Sequence, residues 1–223
     1  MKIKIALLFT IFFPLLATAV ESDNTIACHD VYITTGGTTN LSIGLTTSNN
    51  YTYYGYQFDI YLPTGVTLAK NGSKYLYTLD DRYNDKMQVN FNDFGSGHYR
   101  VVVFSLSNAP FSGTKGALID LTICADGNMT GGLYVGQVKD FKLSRTDGQG
   151  ETLPNKTFGI TVSLFPMGDV NHDYNVNVSD VMLTVSKVLG SYYAVFYEEQ
   201  GDMNFDGDIT ITDVMSIVDI VLH

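Results

Sequence analysis

The sequence predicts a mainly β protein with a small α domain near its C-terminal end, and three observations carry that expectation. From about residue 26 to 164, short apolar segments alternate with polar residues and are separated by Gly, Asn, Asp and Ser. Beyond them stand two acidic loops, Gly168-Asp169-Val170-Asn171-His172-Asp173 and Gly201-Asp202-Met203-Asn204-Phe205-Asp206, each followed by apolar residues at helical spacing. The two copies keep a constant offset of 33 residues as far as Val188-Leu189 and Val221-Leu222, which marks a structural duplication.

The chain opens on a basic Met1-Lys2-Ile3-Lys4, an apolar run from Ile5 to Leu16 and a small-residue Ala17-Thr18-Ala19. That order predicts an export signal over residues 1–19, cleaved after Ala19, and a secreted product at the cell surface, outside the cell or in a periplasm. No other apolar stretch reaches membrane-spanning length, so no membrane span is expected. Loss of Lys2 and Lys4 takes the formal charge from −10 to −12, which repels nucleic acid phosphates.

The β-sandwich is expected over residues 20–164. Its clearest strand is Tyr56-Gln57-Phe58-Asp59-Ile60-Tyr61-Leu62, with Tyr56, Phe58, Ile60 and Leu62 on one face and Pro63-Thr64-Gly65 as the stop. Further strands are expected over Leu41–Leu45, Met87–Phe91, Tyr99–Leu106, Gly116–Cys124, Gly132–Val135 and Phe158–Leu164. Many short strands at this spacing read as a sandwich. Cys28 and Cys124 permit a disulfide in an oxidising compartment, although a core of this size folds without one. The runs Asn40-Leu41-Ser42-Ile43-Gly44-Leu45, Gly55 to Ile60 leading into Leu62 to Leu68, Tyr99 to Phe104, and Gly116 to Leu121 together resemble a cohesin-type jelly-roll sandwich, a module related to some carbohydrate-binding domains.

In each acidic loop, oxygen-bearing side chains recur at alternate positions and close on an acid eleven residues after the first, the spacing of an EF-hand calcium loop. The first copy offers Asp169, Asn171, Asp173, the carbonyl of Asn175, Asn177 and Asp180. The second offers Asp202, Asn204, Asp206, the carbonyl of Asp208, Thr210 and Asp213. Two calcium ions are expected, because all these donors are hard oxygens and none is nitrogen or sulfur. The sharp-turn position carries Gly207 in the second loop but Tyr174 in the first, so the first site should be weaker or more irregular. Both loops end in Asp, whose shorter arm must approach the ion more closely than Glu.

Ser179 and Thr212 are candidate N-caps for the helices that follow. An apolar stripe then runs through Val181, Val185, Val188 and Leu189, and another through Val214, Val218, Val221 and Leu222. Pro166 excludes a helix entering the first loop. Loop then helix, twice over residues 165–223, resembles a dockerin domain. The resemblance implies binding to cohesin domains, and so attachment of proteins to one another in polysaccharide-degrading assemblies. It also points to Val178, Ser179, Ile211 and Thr212 as partner-binding residues, facing either an extracellular protein such as a cohesin or the chain's own sandwich.

Catalysis is not expected. Glycoside hydrolysis needs two carboxyl groups held about 5 to 10 Å apart, and the scattered Asp59, Asp80, Asp81, Asp85, Asp93, Asp120, Asp126, Asp140, Asp147 and Glu151 nominate no pair. His29, His98, His172 and His223 read as solvated side chains. The reading is a secreted adaptor with a calcium-dependent dockerin-like module and a cohesin-like sandwich. The alternative is a carbohydrate-binding protein, with Tyr51, Tyr53 and Tyr54 as candidate glycan-stacking residues and polysaccharide as the ligand.

Overall fold

The computed structural model describes residues 24–47, 51–80, 82–83, 87–111, 113–191 and 195–223. The expected export signal, Asp81 and Asp85 lie outside them. The first half of the chain forms β1 (Thr25–Cys28), β2 (Val31–Thr34), β3 (Thr38–Thr46), β4 (Tyr53–Tyr61), β5 (Val66–Leu68), β6 (Lys70–Asn71), β7 (Lys74–Tyr75) and β8 (Tyr77–Leu79). There follow β9 (Met87–Gly95), β10 (His98–Ser105), β11 (Ala117–Ala125), β12 (Gly132–Arg145), β13 (Gly150–Thr152) and β14 (Lys156–Ser163). Among the described residues three helices follow, α1 (Val178–Val188), α2 (Glu198–Gly201) and α3 (Ile211–Leu222).

One sheet orders β1-β3-β11-β5 with β8 also on β11, and the other orders β2-β14-β12-β4-β10-β9 with β13 on β12. Each sheet buries alternate residues, as a sandwich requires. Leu41, Ile43 and Leu45 of β3, Phe58 and Ile60 of β4, Val101 and Val103 of β10, and Ile119, Leu121 and Ile123 of β11 are wholly buried. Rings stack within this core, Phe58 on Phe141 at 5.5 Å and Tyr56 on Phe141 at 5.6 Å. The inward face expected of β4 is buried as read, and the mainly β architecture with a small helical C-terminal region is the one expected.

The short β1, β2, β5 to β8 and β13 carry too little alternation to be read from the sequence. Expected to end at Val135, β12 instead runs on to Arg145 through a bulge, where the pairing with β4 jumps between Lys139 and Lys142 and Asp140 takes φ 49°. The extra residue breaks the period of two, and so hid the second half of the strand.

Two charged groups are buried with the core. Asp59 accepts two hydrogen bonds from Arg100, at 2.6 and 2.9 Å, and lies 3.0 Å from Nε2 of His98. Burial pushes its carboxyl up, but Arg100 and His98 outweigh this and hold it below the ordinary range. Arg82 donates to the carbonyls of Leu45, Gly113 and Gly116, and burial pulls its pKa down. Cys28 and Cys124 are free thiols, and burial pushes Cys28 up to about 12.

By contacts the chain divides into two compact units. One holds residues 24–31, Asn40–Ile123 and Val135–Gly159, and the other Tyr32–Thr39, Cys124–Tyr134 and Ile160–His223. The second unit contains all three helices and has its own buried set, Ile33, Val162, Val170, Thr184, Val214 and Ile217. No helix among the described residues is long and apolar enough to cross a membrane.

Candidate metal centre and binding face

Each loop is built by the same hydrogen bonds. Asp169 Oδ1 and Oδ2 accept from the amides of Asp173 (3.0 Å) and Tyr174 (2.8 Å), and Asp202 does the same for Asp206 (3.1 Å) and Gly207 (2.9 Å). Asn171 and Asn204 each accept from the amide two residues on, as do Asp173 and Asp206. These turns curl the backbone around the alternate side chains. The closing acids complete the loop: Asp180 accepts from Val170 (3.0 Å) and Asn177 (2.9 Å), and Asp213 from Met203 and Thr210, both at 2.8 Å.

That last pair of bonds corrects the expected helix caps. The caps are Asn177 and Thr210, each in a capping box with Asp180 or Asp213, while Ser179 and Thr212 lie inside the first turn. The caps stand two residues earlier because each closing acid reaches back to the cap amide, the task usually given to Glu or Gln.

The sharp-turn residue is left-handed in both copies, Tyr174 at φ 69° and Gly207 at φ 88°. The first loop keeps the regular bonding of the second, so it is not the more irregular of the two, and the cost falls on the tyrosine backbone. Position four is left-handed too, His172 and Phe205 both at φ 59°. Gly168 and Gly201 sit at equivalent places where a Cβ would approach Val176 or Phe196 to 2.9 Å, so the chain entering each loop must be bare.

Asp169, Asp180 and Asp213 are wholly buried, and their environments differ. Burial, joined by the Asp169 and Asp173 carboxylates, pushes Asp180 up. Burial also pushes Asp213 up, but amide hydrogen bonds from Thr210 and Met203 prevail and bring it below the ordinary range. Among the described residues no three His, Cys, Asp or Glu side chains form a ready-made cluster. The donor set in each loop is mixed, pairing carboxylates with Asn or Thr oxygens and a backbone carbonyl. Convergent hard oxygens on a curled loop, with repelling carboxylates among them, fit a cation of calcium's character.

His172 is not simply solvated. Its ring lies between Phe165 and Tyr197, with centroids 3.7 and 3.4 Å away and planes within 7°, and Nε2 stands 2.7 Å from Gln200 Oε1. It therefore pins the first loop to its flanking segments. His98 is likewise engaged, between Tyr61 (4.2 Å) and Phe94 (4.5 Å).

The helices expose matched apolar residues. Val178 and Ile211, Met182 and Met215, and Leu189 and Leu222 are each 33 apart and each about 60 to 75 % exposed. Ser179 and Thr212, the other expected partner residues, are also exposed. Buried instead are Thr184 and Ile217, again one repeat apart, with Val214. Leu189 and Leu222, read as part of an apolar stripe, therefore lie outside the packed face.

Residues 167–222 match the family described as the dockerin type I domain. This segment is a dockerin domain. Ahead of the dockerin, the sandwich matches solved cohesin modules in fold. One is from a family 33 glycoside hydrolase of Clostridium perfringens, 16 % identical, covering 64 % of this chain and 96 % of that one, with a TM-score of 0.51. Two others were solved in complexes with dockerins, each 10 % identical with a TM-score of 0.50. The one from Clostridium thermocellum covers 66 % of this chain and 99 % of that one; the scaffoldin B cohesin of Acetivibrio cellulolyticus covers 63 % and 99 %. No curated protein matches the chain.

The expected glycan platform is not assembled. Tyr53 is buried and bonded by Asn24 and to Glu151, which takes its ring out of reach of a sugar. Tyr51 is half exposed, but the Arg145 guanidinium lies 3.3 Å from its ring centroid. Tyr54, next along β4, is only half-buried. Side chains alternate along a strand, so consecutive tyrosines cannot share one face.

Proposed function

We propose that the chain is a secreted, non-catalytic adaptor whose dockerin folds around two calcium ions and docks on a cohesin-type protein in an extracellular polysaccharide-handling assembly. The observation that carries this reading is the duplicated exposed face, Val178, Ser179 and Met182 with Ile211, Thr212 and Met215. Apolar side chains left outside the packed face at identical places in two repeats mark an interaction surface. Calcium would be held by Asp169, Asn171, Asp173, Asn175, Asn177 and Asp180, and by Asp202, Asn204, Asp206, Asp208, Thr210 and Asp213. Bound there, it supplies charge neutralisation that lets each loop close and its helix start. The cohesin-like sandwich gives the adaptor a second protein-binding module.

Binding of the full chain to a panel of immobilised cohesin modules, followed with and without a chelator, tests the reading. Calcium-dependent capture that is lost in Met182→Asp/Met215→Asp is expected. Capture by no cohesin, or capture indifferent to both chelator and substitution, would remove the adaptor role.

A further inference from the structure

The fourth position of each acidic loop is left-handed, and the two copies secure it by different means. His172 in the first loop takes φ 59° with its ring clasped between Phe165 and Tyr197, both within residues 165–223. Phe205, one repeat on, takes the same φ 59°, yet it is 62 % exposed and stands beside a cleft of about 650 Å³. A residue with a Cβ keeps a left-handed backbone only where its surroundings over-determine it. With open space beside it, Phe205 depends on the ring it meets.

That ring is Tyr32. It belongs to β2, far ahead of the dockerin match that begins at residue 167, although Tyr32 and Phe205 fall in the same compact unit. The ring centroids lie 6.0 Å apart with the planes tilted by 34°, inside the range of favourable aromatic pairs. Tyr32 is itself aimed, because its hydroxyl donates to the Phe165 carbonyl at 2.9 Å. The strand that carries it is tied to β14, and just past its end the Thr35 amide donates to the Ser163 carbonyl at 2.9 Å. Phe165 thus serves both loops, with its ring on His172 and its carbonyl on Tyr32.

The placement of Phe205 bears on the loop's oxygens. The amide of the next residue, Asp206, donates to Oδ1 of Asp202 and of Asn204, so the backbone at 205 sets how those two oxygens are brought together. We infer that Tyr32 is a positioning residue for the second loop, holding Phe205 and through it the curl, so that this site reaches full calcium affinity only with β2 in place. The inference rests on the proposed binding of calcium by that loop. Strand and loop are then coupled reciprocally: calcium at the second loop steadies β2 by the same factor with which β2 favours calcium. The first loop finds its anchor inside the helical segment and needs no strand.

Calorimetric calcium titration of the full chain tests this, in an Asp169→Ala background so that the second site is read alone. Tyr32→Ala and Phe205→Ala should each weaken that site by about three- to tenfold. The double variant should be no weaker than the worse single, because both substitutions remove one contact. If Tyr32→Ala does not fold, Tyr32→Leu, which keeps apolar bulk on the strand without a ring, should show the same loss. In an Asp202→Ala background, where the first site is read, Tyr32→Ala should change affinity by less than about twofold, which a general loosening of the fold would not give. Hydrogen exchange supplies the reciprocal readout. The Thr35 amide should exchange more slowly in calcium than in chelator, and Phe205→Ala should abolish that protection. Second-site affinity unchanged by Tyr32→Ala, or losses from the two substitutions that multiply, would overturn the inference while leaving calcium binding intact. A parent chain that takes up no calcium removes both.

Discussion

Tyr174 adopts φ 69° at the place where Gly207 adopts φ 88°, so one repeat carries a backbone cost that the other avoids. A left-handed residue with a Cβ costs about 1 to 2 kcal/mol. Tyr174→Gly should therefore tighten calcium binding at the first loop by up to about tenfold, and Gly207→Tyr should loosen the second by a similar factor. Calorimetric titration of each variant against the parent measures both, and equal affinities throughout would show that the tyrosine side chain repays its own strain.

Asp213 joins two duties, since it closes the second loop and caps α3. In Asp213→Ala the cap alone should cost about 1 kcal/mol, and the loss of the proposed calcium ligand should add to it. Helicity at 222 nm in saturating calcium is expected to fall in this variant and to stay down as more calcium is added. Full recovery with excess metal would mean that the carboxylate only caps.

Ile217 is wholly buried in α3, at the place where α1 buries Thr184. Ile217→Ala should cost about 2 to 4 kcal/mol and lower the denaturation midpoint of the calcium-loaded chain. Thr184→Val should be milder, near 1 kcal/mol, because the Thr184 hydroxyl donates only to the Asp180 carbonyl within its own helix.

Asp59 makes the sandwich sensitive to acid. Its folded pKa is depressed below the ordinary 3.8, so its contribution is complete above that value and is lost as the pH falls through the lower, folded value. Asp59→Asn should destabilise the chain at neutral pH by about 2 kcal/mol, less than a fully buried pair because Arg100 is 39 % exposed. The variant should also show a flatter stability profile below pH 4. A parent and variant whose denaturation midpoints fall in parallel with acid would assign the sensitivity to other groups.

The repeat, the oxygen-bearing loops and the main strands are legible in the sequence because each is a local pattern: an offset of 33, alternate oxygens, a period of two. The helix caps were misplaced by two residues because Asp180 and Asp213 reach back in a box usually closed by a longer acid. The second half of β12 was missed at the Asp140 bulge, where alternation fails. Tyr51, Tyr53 and Tyr54 looked alike in sequence, yet Tyr53 is committed to Asn24 and Glu151, partners far along the chain.

The sequence by itself determined that two oxygen-rich loops precede two helices and that alternating strands precede both, since spacing along the chain dictates local geometry. Only the tertiary structure decided which apolar side chains are spent in packing and which remain exposed. Thr184 and Ile217 went inside while Met182, Met215, Leu189 and Leu222 stayed out. Burial depends on what the rest of the chain brings alongside, and no run of neighbouring residues contains that information.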